Sequence, residues 1–273
     1  MLSCLPVSLF SEIISGRMTP GEWARLAADC GLDAFDISIL FVKDRSRAGL
    51  AALRKELETG GLPLHMVCTY PDFTVPDPVI RTRELEKEKK DIRAAAVLGA
   101  DSVRITAGQF YPDADPERQL KQVTEAFSRL AELAEKLKIT LLWENHSKPG
   151  AWERPDYNYA PERLEKMRAA LEGSPVRMNY DIANAYLLGL DGRFAERCLP
   201  QIASVHVNDA ASVSPIRFAG IGEGKAGVEE ALKMLKRLGY QGDFSIEEAS
   251  GEGIDGIRKY TEVTRRLLEE AGF

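Results

Sequence analysis

Short apolar runs alternate with amphipathic helical stretches from one end of this chain to the other, and nothing else constrains the fold as strongly. Strand-like runs read near residues 4–9, 34–40, 63–69, 101–106, 139–145, 176–181, 202–207 and 243–248. Helical stretches read near 20–30, 46–59, 81–98, 116–137, 161–172, 191–198, 227–238 and 254–271. Eight alternating units in 273 residues predict a closed (β/α)8 TIM barrel of the α/β class rather than an open doubly wound sheet. No low-complexity linker divides the chain, so residues 1–273 read as a single domain.

Local punctuation agrees with the alternation. The stretch TPGEW offers Thr19 as a helix cap, Pro20 in the first helical position and Glu22 three residues after the cap. Asp115 and Pro116 repeat that logic. A glycine shortly before a strand recurs in CGLDAFDI, LGADSVRI and LGYQGDFSI, where it can end the preceding helix in the left-handed conformation. The charged run RELEKEKKDIR reads as a solvated helix face, because its mixed signs fall at helical spacing. Longer loops, YPDFTVPDPV, SKPGAWERPDYNYA and AASVSPIRFAGIGEGKAG, follow the third, fifth and seventh strands, on the face where barrels carry their sites.

Composition excludes several classes of function. A formal net charge of −6 argues against a nucleic-acid surface, which is normally basic. No run is long and apolar enough to suggest a membrane span, and the opening MLSCLPVSLF lacks the basic residues of a signal peptide. Cys4, Cys30, Cys68 and Cys198 lie far apart without CxxC spacing, so they read as buried free thiols and a reducing cytoplasm is expected.

The chemistry gathers at four residues. Glu144, Asp181, His206 and Glu247 each fall near the end of a strand-like run, in LLWENHS, VRMNYDIANA, IASVHVND and DFSIEEA. Their immediate neighbours are mostly apolar, namely Trp143, Tyr180, Ile182, Val205, Val207 and Ile246. Side chains alternate across a strand, so the four point to the inside of the barrel. Three carboxylates in one cavity repel one another, and a divalent cation relieves that repulsion. Mostly oxygen ligands with one imidazole suit Mn2+, Mg2+ or Co2+, and also admit Zn2+.

At this point the chain resembles the xylose isomerase-like TIM barrels, a superfamily of sugar and sugar-phosphate isomerases and epimerases. The resemblance rests on the order Glu, Asp, His, Glu with ENH, YDIANA, HVND, GIGEG and SIEE, and it spans essentially the whole chain. It implies that Glu144, Asp181, His206 and Glu247 hold the metal and that Glu144 and Glu247 form the acid/base pair. It further implies a small sugar or sugar-like substrate and a homo-oligomer. Ketose 3-epimerases carry a His three residues after the Asp of the sixth strand, whereas this chain has Asn184, which cannot titrate near neutrality.

Further candidates surround these four. His146 shares the parity of Glu144, and His65 lies on the third strand; each reads as a substrate contact or as structural. Arg104 at the end of the fourth strand reads as a substrate contact or as the partner of a buried carboxylate. Asn184 can hydrogen-bond a substrate hydroxyl, while Arg217 and Lys225 flank GIGEG and could bind an anionic group. Glu223 reads as a support for the site, and Glu248 has the parity to face the helices. GIGEG is not a complete dinucleotide fingerprint.

Three other readings compete. A metal-dependent dehydratase would use the same proton abstraction and then lose water. An endonuclease with a three-zinc site needs many histidines, and this chain has three in all. A sugar-binding barrel without turnover would not need both glutamates.

Overall fold

The computed structural model describes residues 1–147 and 152–273. Eight parallel strands form one sheet: β1 (Leu2–Leu5), β2 (Phe35–Ser38), β3 (Leu64–Cys68), β4 (Ser102–Ile105), β5 (Thr140–Glu144), β6 (Arg177–Asp181), β7 (Ile202–Val207) and β10 (Asp243–Glu247). The two remaining strands, β8 (Asp209–Val213) and β9 (Ile216–Ala219), make a separate antiparallel ribbon. The order in the large sheet is β1-β10-β7-β6-β5-β4-β3-β2, so each barrel strand sits beside its neighbours in sequence and β10 returns to β1. No ladder joins β1 to β2; instead Ala34 and Asp33 donate backbone N–H groups to Leu2 O at 3.3 and 2.9 Å, and Ser3 Oγ donates to Asp36 at 2.8 Å. The result is a near-closed TIM barrel.

The helices are α1 (Phe10–Ser15), α2 (Pro20–Asp29), α3 (Arg47–Glu58), α4 (Pro78–Leu98), α5 (Pro116–Leu137), α6 (Pro161–Ala170), α7 (Ile182–Leu187), α8 (Gly192–Cys198), α9 (Val228–Arg237) and α10 (Gly253–Ala271). The expected caps form. Thr19 Oγ1 accepts the Glu22 N–H at 3.1 Å while Glu22 accepts the Thr19 N–H at 2.6 Å, and Asp115 caps α5. Gly99 ends α4 at φ 88°, a conformation that costs a residue with a Cβ.

Four expectations need correction. The first strand covers Leu2–Leu5 rather than 4–9, because Pro6 has no N–H to continue the ladder and the chain then turns into α1. Helix α4 starts at Pro78 rather than 81, capped by Asp77, whose Oδ1 accepts the Val79 N–H at 2.7 Å. Within the loop expected after the seventh strand, Val213, Ile216 and Phe218 give enough β-propensity on either side of Ser214–Pro215 to pair as β8 and β9. The charged run on α4 is not solvated throughout: Glu88 and Asp91 are fully buried, Glu88 accepting from Thr69 Oγ1 at 2.7 Å and Asp91 pairing with Arg45.

The main apolar core fills the space between strands and helices, and a smaller cluster of Leu5, Met66, Cys68 and Leu142 sits inside the barrel. All four cysteines are buried free thiols. Among the described residues no helix is long and apolar enough to cross a membrane.

Candidate metal centre

Parallel pairing brings the C-terminal ends of β5, β6, β7 and β10 side by side. Glu144 is level with Asn179, Asp181 with His206, and His206 with Ser245, two residues before Glu247. These strands are short and apolar on their outer faces, so the inward face alone carries Glu144, Asp181 and His206 into a fully enclosed space. Glu247 is half-buried beside them.

Three of the four predicted residues converge. One donor atom from each of Glu144, Asp181 and His206 lies within 4.8 Å of the others, a group that could hold a metal ion. His206 Nδ1 lies 3.0 Å from Glu144 Oε1 and 3.7 Å from Asp181 Oδ2. Ligands bound at about 2.1 Å in octahedral geometry stand about 3 Å apart, so this spacing is close to the edge of a coordination shell. Glu247 stands outside the three and joins them through Asn208, whose Nδ2 donates to Asp181 Oδ2 at 2.7 Å and to Glu247 Oε2 at 3.0 Å.

The outer oxygens of Glu144 and Asp181 are held elsewhere. Arg104 Nε lies 3.0 Å from Glu144 Oε2, and Asp181 Oδ1 accepts the Asn184 N–H at 2.6 Å. Asn145 brackets Asp181 from the side, donating to its carbonyl and accepting its N–H, both at 2.8 Å. Glu144 Oε1 and Asp181 Oδ2 are left on the side of His206, the second also accepting from Asn208.

The charge balance tests the fit of a cation. Three carboxylates face one permanent positive charge, Arg104, so the site is two positive charges short when all are ionised. Burial raises the pKa of Asp181, and the negative charges of Glu144 and Glu247 raise it further against the pull of His206. Burial also raises that of Glu247. For Glu144, burial acts upward, but Arg104 and His206 outweigh it and hold the carboxyl well below the usual range. Burial pushes His206 down, yet Glu144 and Asp181 leave it well above an ordinary histidine. The upward shifts of Asp181, Glu247 and His206 mark a shortage of positive charge, which a divalent ion would supply.

The other candidates divide. Arg104 is fully buried, paired with Glu144, stacked under Tyr70 at 5.0 Å and donating to Thr69 O at 3.3 Å. His146 lies beside the group with Nδ1 buried and without a partner among the described residues, and burial pushes its pKa down to about 4, so its ring is neutral. Asn184 Oδ1 is likewise buried without a partner among the described residues. His65 is not brought to the group: it sits near the opposite end of β3, with Nδ1 3.9 Å from Asp101. Arg217 lies exposed on β9, its Nε 3.3 Å from Ser212 Oγ, and Lys225 is exposed as well. Glu223 faces Lys259 at 2.8 Å rather than the barrel, and Glu248 turns to the helix side, where it accepts the Ser250 N–H. Of the loop after β5, residues 148–151 lie outside the described residues.

Asn145, Asn208 and Asp209 were missed. Asn208 stands two residues after His206, the same spacing that marked His146 after Glu144, so strand parity could have found it. Asp209 explains GIGEG. Its carboxylate accepts the backbone N–H groups of Gly222 and Gly224 at 3.0 Å and of Ala226 at 2.9 Å. A Cβ at Gly224 would come within 2.2 Å of Asp209 Oδ1, so the loop wraps the protein's own carboxylate.

Comparison with known proteins follows this geometry. A family model described as xylose isomerase-like TIM barrel matches residues 24–269. No curated protein sequence matches the chain. Among solved structures, a xylose isomerase domain protein from Alicyclobacillus acidocaldarius is similar at 20% identity, with 100% of both chains covered and a TM-score of 0.75. A D-tagatose 3-epimerase-like protein is similar at 19% identity, covering 99% of this chain and 97% of its own, with a TM-score of 0.79. A probable 3-DHS dehydratase from Bacillus anthracis is similar at 13% identity, covering 97% and 98%, with a TM-score of 0.77. At these identities the likeness shows the fold.

Proposed function

The chain belongs to the xylose isomerase-like TIM barrel family, and from that premise we propose that it is a divalent-metal-dependent isomerase or epimerase of a small sugar, sugar phosphate or related hydroxycarbonyl. The observation that carries this reading is the convergence of Glu144, Asp181 and His206, with Glu247 tied to them through Asn208. In this reading Glu144, Asp181, His206 and Glu247 hold the ion, with Mn2+, Mg2+ or Co2+ preferred over Zn2+. When bound, such an ion supplies the electrophilic pull on a carbonyl oxygen that makes a neighbouring C–H acidic.

The remaining steps belong to the protein. Glu144, kept ionised beside Arg104, removes the proton from the carbon beside the carbonyl. Glu247, whose pKa burial raises, returns a proton to the other face in an epimerisation. Neutral His146 and the free amide oxygen of Asn184 orient substrate hydroxyls. Arg104 keeps Glu144 ionised and in place.

One observation supports a second reading, a dehydratase acting on a cyclic polyol ketone. Both oxygens of Glu144 are engaged, whereas Glu247 has a single partner among the described residues, which suits one-sided proton abstraction followed by loss of water. Incubating the Mn2+-loaded protein with ketoses and cyclic polyol ketones in D2O separates the two. Isomers or epimers carrying deuterium are expected, unsaturated products would establish the lyase, and unchanged substrates across the panel would refute both.

A further inference from the structure

Asn208 does more than fill space. It lies just past the end of β7 and is almost completely buried, and every hydrogen-bonding atom of its side chain is used. Its Oδ1 accepts the Ala183 N–H at 2.9 Å, which fixes which way the amide faces. Turned over, its carbonyl oxygen would meet two carboxylates and its NH2 would meet an N–H, so only the observed orientation is chemically consistent. In that orientation the two hydrogens of Nδ2 go to Asp181 Oδ2 on β6 and Glu247 Oε2 on β10. These strands are not neighbours, since β7 runs between them.

We propose that Asn208 is a positioning residue that yokes Glu247 to the Glu144–Asp181–His206 group. This rests on the metal-site reading above. An amide suits the task because it gives two donors without adding charge, whereas a lysine or an acid would change a balance that a divalent ion closes. Glu247 stands outside the three-residue group, so its place in the ligand set depends on the hydrogen bond that holds its Oε2. Partners that orient ligating carboxylates in this way typically contribute 10- to 100-fold, roughly, to metal affinity.

The test is a double-mutant cycle on Mn2+ affinity, read from the electron paramagnetic resonance signal of free Mn2+. Asn208→Leu and Glu247→Ala are each expected to weaken binding about tenfold, and the double variant no more than the weaker single one. Asn208→Ala, which removes both donors without adding charge, is expected to abolish the contribution of Glu247 in the same way. It serves where the leucine variant fails to fold. Wild-type affinity in the Asn208 variants, losses that simply multiply with that of Glu247→Ala, or a wild-type protein that takes up no Mn2+ would overturn the proposal. Coupled Mn2+ binding without turnover of any hydroxycarbonyl would uphold Asn208 and remove the proposed reaction instead.

Discussion

Two buried polar clusters share the inside of this barrel, one at each end, and they are built to opposite rules. At the C-terminal end of the strands, three carboxylates crowd one imidazole and one guanidinium. Toward the N-terminal end, a single buried carboxylate, Asp36, accepts hydrogen bonds from Ser3 Oγ and Ser245 Oγ, and His65 lies near the mostly exposed Asp101. The lower cluster offers its one acid neutral hydroxyl donors from two neighbouring strands. The upper one surrounds its acids with more acids. A buried Asp with hydroxyl partners is a structural device, whereas converging acids short of counter-charge require something from outside the chain. Inward parity alone does not tell them apart; the ratio of acids to donors does.

The comparison breaks most visibly if the acids of the upper cluster are neutralised. Glu247→Gln should lower turnover by about 10²- to 10⁴-fold, the usual worth of a positioned acid or base, and leave the melting temperature near that of the wild type. Glu144→Gln should lower turnover as far and also destabilise the fold by about 3–5 kcal/mol, because it strips the charge from the partner of a buried Arg104. Steady-state kinetics beside chemical denaturation separate the two effects. Equal stability of both variants would mean that the Arg104–Glu144 pair is not what neutralises this end of the barrel.

Much of this was legible before any coordinates. The alternation of runs located all eight barrel strands, and parity set Glu144, Asp181 and His206 on one face, because a period of two survives whatever the neighbouring helices do. What failed to show was whatever depends on long-range pairing. His65 precedes the inward-facing Met66 near the start of its strand, where the pairing of β2 with β3 shifts register between Phe35 and Asp36, so alternation alone does not place its ring. Arg104 could be read as binding substrate or as a partner; only the 3.0 Å approach of Glu144 decides for the partner. The glycines of GIGEG read only as an incomplete fingerprint, and what they wrap is Asp209, 13 to 15 residues earlier.

In the lower cluster the same kind of substitution should act on stability alone. Asp36→Asn keeps the shape but replaces charged acceptors by a weaker one and presents NH2 hydrogens to two hydroxyls. A loss of about 1–3 kcal/mol is expected by urea denaturation, with Mn2+ affinity unchanged. A fall in metal affinity comparable to that of an upper-cluster variant would mean that the two ends are one coupled network.

The smallest expected effect concerns His65 and is a matter of pH. Burial acts against its charged form, but the nearby carboxylates of Asp101, Asp36 and Asp243 outweigh it, so its pKa in the folded protein is raised. A raised folded value means the folded state holds the proton more tightly than the unfolded chain does. The resulting stability is fully present below the unfolded value of about 6.5 and is lost as pH rises through the higher folded value. Denaturation midpoints taken from pH 6 upward should therefore fall more steeply for the wild type than for His65→Gln. Because the Asp101 side chain is mostly exposed, added salt should shrink the difference between the two curves. Parallel curves would show that His65 enters the fold with the same proton affinity it has in the unfolded chain, and that the lower cluster is held by Asp36 and its serines without help from the imidazole.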